Sequence, residues 1–231
     1  MVDPPTTRSS LIVGLKADRS EAWERLYRNY WRVVYAFAYR ATASHTDAED
    51  LTQDTFAVVC AKIGRFDTRS GKGGFRAWLR AICTNNLRSL RRYKRRHPPP
   101  LPLDEAAAAP GPTPADMWDR YWYWNLYQLA LRRLVRELRT LEHGVVQYAV
   151  FCLRCKDGLG YDKIIESINR DRPPDWPEIN EHTVRNYVYR TKRLLRNYVE
   201  EAIRSYCETE EEFQEELAAA RSFFMRQEPM G

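Results

Sequence analysis

A proline-rich stretch constrains this chain most. His97-Pro-Pro-Pro-Leu-Pro, an alanine run and Pro110-Gly-Pro-Thr-Pro follow one another without a break. Proline locks φ and lacks the N–H that a helix or sheet interior needs, so no regular element runs through such a segment. Residues 97–113 therefore read as an extended linker between two folded parts. On both sides of it the apolar spacing is helical. From Glu21 to Tyr39, Trp23, Leu26, Tyr27, Tyr30, Val33, Val34, Phe37 and Ala38 recur at three and four, and no strand-like alternation competes. The expected fold is all-α: two helical domains joined by the Pro/Ala-rich linker, with a C-terminal helical extension. The expected divisions are residues 1–19, 20–96, 97–113, 114–200 and 201–231.

Local signals place the helices. Thr46 with Glu49 three residues on forms a capping box that opens a helix running to about Ile63 and Gly64. After Ser70-Gly71-Lys72-Gly73-Gly74 a third helix puts Phe75, Trp78, Leu79, Ile82, Leu87, Leu90 and Tyr93 on one face. Its opposite face carries Arg76, Arg80, Arg88, Arg91, Arg92 and Arg95. Past the linker, Pro114 and Asp116 start a long helix to about Leu141. Either Trp118, Trp122 and Leu126 or Tyr121, Trp124, Tyr127 and Leu131 form its buried face, and the surplus aromatics point to docking on another domain or partner. Two short helices follow, around Val146, Val150 and Leu153 and around Tyr161, Ile164, Ile165 and Ile168, separated by the turn Asp157-Gly158-Leu159-Gly160. Asn180 then caps a helix with Val184, Val188, Thr191, Leu195 and Tyr198 inward and a basic outer face. This is a helix-turn-helix layout.

Charge is distributed unevenly. Residues 1–100 carry 19 Lys and Arg against 9 Asp and Glu, whereas residues 201–231 carry 3 against 8. Ten basic side chains and no acid lie between Thr68 and Leu103, a composition suited to a polyanion such as DNA or RNA. The acidic tail is expected either to fold back on the basic helix after Asn180 or to recruit a regulator. With 44% hydrophobic and 29% charged residues the chain is neither disordered nor membrane-like, and its longest uncharged stretches are 11 residues. Absence of a basic, cleavable leader and of a spanning segment leads to a cytoplasmic, nucleoid-associated expectation without membrane insertion. The five cysteines are odd in number and scattered, and all but Cys207 sit in apolar patterns. Cys152 and Cys155 are half of a zinc spacing with no second pair, so no metal is expected and no cofactor is implied.

The stretches Leu26-Tyr27-Arg28-Asn29-Tyr30-Trp31-Arg32-Val33-Val34-Tyr35, Asp47-Ala48-Glu49-Asp50-Leu51-Thr52-Gln53-Asp54-Thr55-Phe56 and Phe75-Arg76-Ala77-Trp78-Leu79-Arg80-Ala81-Ile82, ending in a run of arginines, resemble region 2 of the extracytoplasmic-function (group 4) sigma factors of the sigma-70 family. Residues 158–166 and 182–195 resemble region 4, its helix-turn-helix, less closely. Arg170 to Ile179, with Pro173, Pro174 and Pro177, replaces the tight turn usual there.

The resemblance implies a non-enzymatic initiation subunit. It would bind bacterial RNA polymerase core and promoter DNA, with an anti-sigma factor or other regulator as a further expected partner. Asp47, Asp50, Gln53 and Asp54 would bind core. The −10 element would meet Arg76, Arg80, Asn85, Asn86, Arg88, Arg91, Arg92 and Arg95, with Asn85 in a loop that captures a flipped base. His182, Thr183, Arg185, Asn186, Tyr189, Arg190, Lys192, Arg193 and Arg196 would meet the −35 element. A stand-alone helix-turn-helix regulator is the alternative. Catalysis has little support: a phosphate-binding loop would need glycine where Phe66 stands, and His45, His97, His143 and His182 form no catalytic spacing.

Overall fold

The computed structural model describes residues 11–67, 74–97, 114–173 and 176–226. The first ten residues, the glycine-rich segment before Gly74, the linker prolines and Pro174 lie outside them. Among the described residues there are nine α-helices, one 3₁₀ turn and no strand, as an all-α reading requires. They are α1 (Leu11–Lys16), α2 (Ser20–Thr42), α3 (His45–Lys62), α4 (Phe75–Arg96), α5 (Pro114–Leu138), α6 (Gly144–Cys155), α7 (Tyr161–Asp171), α8 (Glu181–Arg204) and α9 (Glu210–Arg226), with the 3₁₀ turn at Ile63–Arg65 after α3.

The chain divides into two compact units, residues 1–126 with 203–231, and residues 127–202. The divisions fall inside α5 and α8, whereas the sequence places them at the linker and after residue 200. Prolines mark where a helix cannot continue, but they do not report which helices pack together. The first half of α5 belongs to the first unit because Trp118, Trp122 and Leu126 are wholly buried there. Trp122 stacks on Tyr30 with ring centroids 4.8 Å apart and meets Tyr206 edge-on at 5.4 Å. Of the two candidate faces this one is core, while Trp124 stays 54% exposed.

In the first unit α2 ends at Ala43, whose left-handed backbone (φ 54°) donates its N–H to Tyr39. A capping residue directly opens α3, but it is Ser44 rather than Thr46: the Ser44 hydroxyl accepts from the Asp47 N–H at 3.3 Å. The Ser44-His45-Thr46-Asp47 pattern satisfies the first turn two residues earlier than the Thr46–Glu49 pattern would. Leu26, Val33, Val34 and Phe37 of α2 are buried, as are Leu51 and Val59 of α3 and Phe75, Leu79, Ile82 and Leu87 of α4. Tyr93, expected on the apolar face of α4, is 61% exposed and stacks on His97. Cys207 is buried despite its polar sequence neighbourhood, and Cys60 and Cys155 are exposed; none is paired.

In the second unit Val150, Ile164, Ile179, Val184 and Val188 form one cluster, and Ala130, Leu134, Leu138 and Tyr198 another. Gly158 takes the left-handed conformation (φ 70°) that lets the chain turn between α6 and α7. Where region 4 would have a tight turn, Asn169 and Arg172 organise the longer connection. The Asn169 amide donates to the Ile179 carbonyl and accepts from the Ile179 N–H, both at 2.9 Å. Arg172 donates to the Trp176 carbonyl at 2.5 Å and pairs with Glu178 at 3.0 Å. Ile179, buried between them, delivers the backbone to α8.

Candidate nucleic-acid interface

Helix α4 positions the first candidate surface. Its arginines occupy one side because the apolar residues that pack it recur at helical spacing on the other. Arg88, Arg91, Arg92 and Arg95 are exposed. Arg91 donates to the Ala41 carbonyl at 3.3 Å, which leans it across the α2–α3 junction. The helix is continuous from Phe75 to Arg96, so Thr84-Asn85-Asn86 is helical and not a loop. The polar residues interrupt the apolar spacing without interrupting the backbone bonding, and Thr84 returns its hydroxyl to the Arg80 carbonyl at 2.8 Å. Asn85 projects to solvent and accepts from Arg88 at 3.4 Å. Asn86 turns the other way and donates to the Thr55 hydroxyl of α3 at 3.3 Å. The two amides expected to act together therefore lie on different faces.

Arg76 differs from the rest of the basic set. Its side chain is only 15% exposed. Nε donates to both Glu216 oxygens at 3.0 Å, Nη1 bonds Asp119, and the guanidinium lies 5.2 Å from the Tyr123 ring centre. Burial lowers its pKa, but Glu216, Tyr123 and Asp119 outweigh that and leave it above the ordinary arginine value. Arg80 is half-buried, 3.9 Å from Asp119.

The first turn of α4 has an unusual partner. Gly74 offers no capping side chain, and the Phe75 N–H donates instead to Glu212 at 3.3 Å. A β-carbon on Gly74 would stand 2.1 Å from the same Glu212 oxygen, so glycine is what admits the carboxylate. Burial raises the Glu212 pKa above the usual carboxylate value, against the opposing pull of the Glu208 and Phe75 N–H groups. The tail acids thus engage α4 and Lys16, which pairs with Glu208 at 2.6 Å. Nothing in the sequence signalled Asp119, Glu212 or Glu216 as partners of Arg76 and Phe75. More than forty residues separate the nearest of them, and only the burial of Tyr206, Phe213 and Leu217 brings α9 here.

On α3, Asp50, Gln53 and Asp54 are exposed, whereas Asp47 is largely covered by an ion pair with Lys94. Asp50 and Asp54 line a shallow groove with Asn86, Ser89, Leu90 and Tyr93. The acidic face and the exposed arginines thus belong to adjacent helices of one unit.

Helix α8 carries the second surface. Asn180 caps it, accepting from the Thr183 N–H at 3.0 Å and the Thr183 hydroxyl at 3.1 Å, so Thr183 is engaged in the cap. His182, Arg185, Tyr189, Arg190, Lys192, Arg193 and Arg196 are exposed, and Asn186 is half-buried. Arg185 pairs with Glu181 at 2.5 Å and lies over Tyr161; Asn186 bonds His182 at 2.8 Å. Val184, Val188 and Thr191 anchor the inner face, where Gln147 donates to the Thr191 hydroxyl at 2.9 Å.

No group of three or more metal-ligating side chains lies among the described residues, nor does any helix long and apolar enough to cross a membrane. Residues 26–97 match the Sigma-70 region 2 family. Over 180 residues the chain is 30% identical to the ECF RNA polymerase sigma factor SigE of Mycolicibacterium smegmatis, covering 77% of this chain and 62% of that one. It is 37% identical over 75 residues to BldN of Streptomyces coelicolor, 32% of this chain and 28% of that one. To SigG of Mycobacterium tuberculosis it is 37% identical over 81 residues, 35% and 21%. Both are also named as ECF RNA polymerase sigma factors. The chain spans less than two thirds of the length of these relatives. With region 2 matched over α2 to α4 and identity to SigE extending well past it, the chain contains a Sigma-70 region 2 and is similar, over most of its length, to an ECF sigma factor of the sigma-70 family.

Proposed function

We propose that this protein is a promoter-recognition subunit of bacterial RNA polymerase, which binds the core enzyme, reads −10 and −35 elements and promotes strand opening. One observation carries the reading: within a single unit, the exposed acids of α3 stand beside the exposed arginines of α4. A protein that must hold a polymerase and a polyanion at once needs two such faces of opposite charge. Asp50, Gln53 and Asp54 are the core-binding set, with Asp47 contributing through its tie to Lys94. Asn85, Arg88, Arg91, Arg92 and Arg95 face the opened −10 region. On α8, His182, Arg185, Asn186 and Tyr189 occupy the first two turns and read bases. Arg190, Lys192, Arg193 and Arg196 contact phosphates, since a helix entering the major groove presents its first side chains to base edges.

Such a subunit supplies position and leaves the chemistry to the polymerase. It works in the cytoplasm, on the nucleoid, and an anti-sigma protein is one regulator that fits the family. Two measurements test the proposal. The purified protein should associate with core polymerase and give transcripts from a subset of promoters, and selection on randomised −35 sequences should return a motif that Arg185→Ala or Asn186→Ala relaxes at one or two base pairs. DNA binding without core association would make it a stand-alone helix-turn-helix regulator instead.

A further inference from the structure

We propose that Arg76 is withheld from nucleic acid by an intramolecular carboxylate clamp, in which α9 supplies Glu216, α5 supplies Asp119, and α9 stands in for a polyanion on the surface of α4. The inference rests on the reading of α4 as a nucleic-acid-binding helix. Arg76 begins the same basic side of α4 that carries the exposed arginines, yet its charge meets two carboxylates and its side chain is 15% exposed. Glu216 shares the Nε–H between its two oxygens while Nη1 is held by Asp119, so two carboxylates occupy a guanidinium fork that could otherwise take a phosphate. The arm is rigid from behind: the Tyr206 hydroxyl donates to Glu216 at 3.0 Å and accepts from the Trp122 indole at 3.2 Å.

Glu216 does not act alone. Glu208, Glu212 and Glu216, four residues apart, meet Lys16, the first N–H of α4 and Arg76 in turn. A lysine, a helix N-terminus and an arginine are three groups that ordinarily bind phosphate. Three carboxylates at four-residue spacing, Glu208 in the bend before α9 and Glu212 and Glu216 on its first turns, satisfy them as a phosphodiester chain would. The buried Glu216–Arg76 pair is also a poor device for stability alone, because buried ion pairs seldom outperform apolar packing. In this closed arrangement Arg76 adds nothing to polyanion binding, and loosening either arm returns its charge to the α4 surface.

The test measures binding of a random-sequence single-stranded DNA of about 20 nucleotides by fluorescence anisotropy over a salt series, using the full chain. Glu216→Gln and Asp119→Asn should each tighten binding about three- to tenfold at low salt and steepen the log–log salt slope by about 0.7. Both gains should vanish in an Arg76→Gln background, as a coupled interaction requires. Asp119 lies at the exposed edge of the clamp, so its variant reports even if Glu216→Gln impairs folding. Binding equal to or weaker than wild type in the Asp119 variant, or a gain that persists without Arg76, overturns the clamp. The sigma-factor reading is judged separately, by core association of the wild-type protein. It survives if wild type binds core and DNA while the clamp variants behave like it.

Discussion

Asn169 and Ile179, ten residues apart, exchange a pair of 2.9 Å hydrogen bonds between one side chain and one peptide unit. This closes the proline-containing connection between α7 and α8 as a ladder pair closes a hairpin. The long connection therefore need not leave α8 free to rotate.

Asn169→Ala leaves the Ile179 N–H and carbonyl without their partner and should cost about 1–3 kcal/mol of stability. Thermal denaturation followed by circular dichroism measures it. The same variant should lose −35 binding out of proportion to −10 binding, because the α8 N-terminus is no longer fixed. Equal losses at both elements would show that the pair only stabilises.

Asn85→Ala should reduce open-complex formation while leaving core association intact, since the side chain is exposed and its bond is to Arg88 on the same helix. Permanganate footprinting of a cognate promoter reads the outcome. Asn86→Ala should behave differently: losing the bond to Thr55 loosens the α3–α4 packing and lowers stability by about 1 kcal/mol.

Arg91→Ala and Arg92→Ala should each weaken DNA binding without changing sequence preference, and each should lower the salt slope by about 0.7–0.9. Filter binding over a salt series decides it. An unchanged slope in both would make that face a solvated one.

Glu212 gives a pH signature. Its carboxyl titrates above its ordinary value of 4.5 in the folded chain, chiefly because burial disfavours the charge. The folded state then holds the proton more tightly than the unfolded state. The Glu212 contribution to stability accordingly rises as pH falls through the raised folded value toward 4.5, the reverse of a salt-bridged carboxylate. Subtracting the Glu212→Gln profile from wild type isolates this contribution. A difference that declines on acidification in that window would contradict the assignment.

Helix identity and the basic face of α4 were legible because periodicity and charge are local properties. Asn180 was legible as a cap for the same reason, since its partner Thr183 lies three residues on. The helical continuity through Asn85 was not legible: polar residues at an apolar position read as a break, although backbone bonding tolerates them. The carboxylates around Arg76 escaped because they come from α5 and α9, and no spacing rule connects residues 43 and 140 apart. Likewise the choice between the Trp118–Trp122 face and the Tyr121–Trp124 face of α5 stayed open until Tyr30 and Tyr206 supplied the aromatic neighbours that make the first of them interior.

The packing that buries Tyr206 also orders events during synthesis. Residues 127–202 form a contiguous unit, whereas the first unit joins residues up to 126 with those from 203 onward, as in the bond from the Leu11 N–H to the Ser205 carbonyl at 2.7 Å. On a ribosome adding roughly 5–20 residues per second, domains usually mature from the N-terminus. Here α2, α3 and α4 must wait with Tyr30 and Phe75 uncovered until the segment after α8 emerges, so the later-made unit can mature first. A nascent chain arrested before residue 206 would expose an aromatic surface for chaperones to hold, and the α4 surface would be finished only after the segment following α8 had emerged.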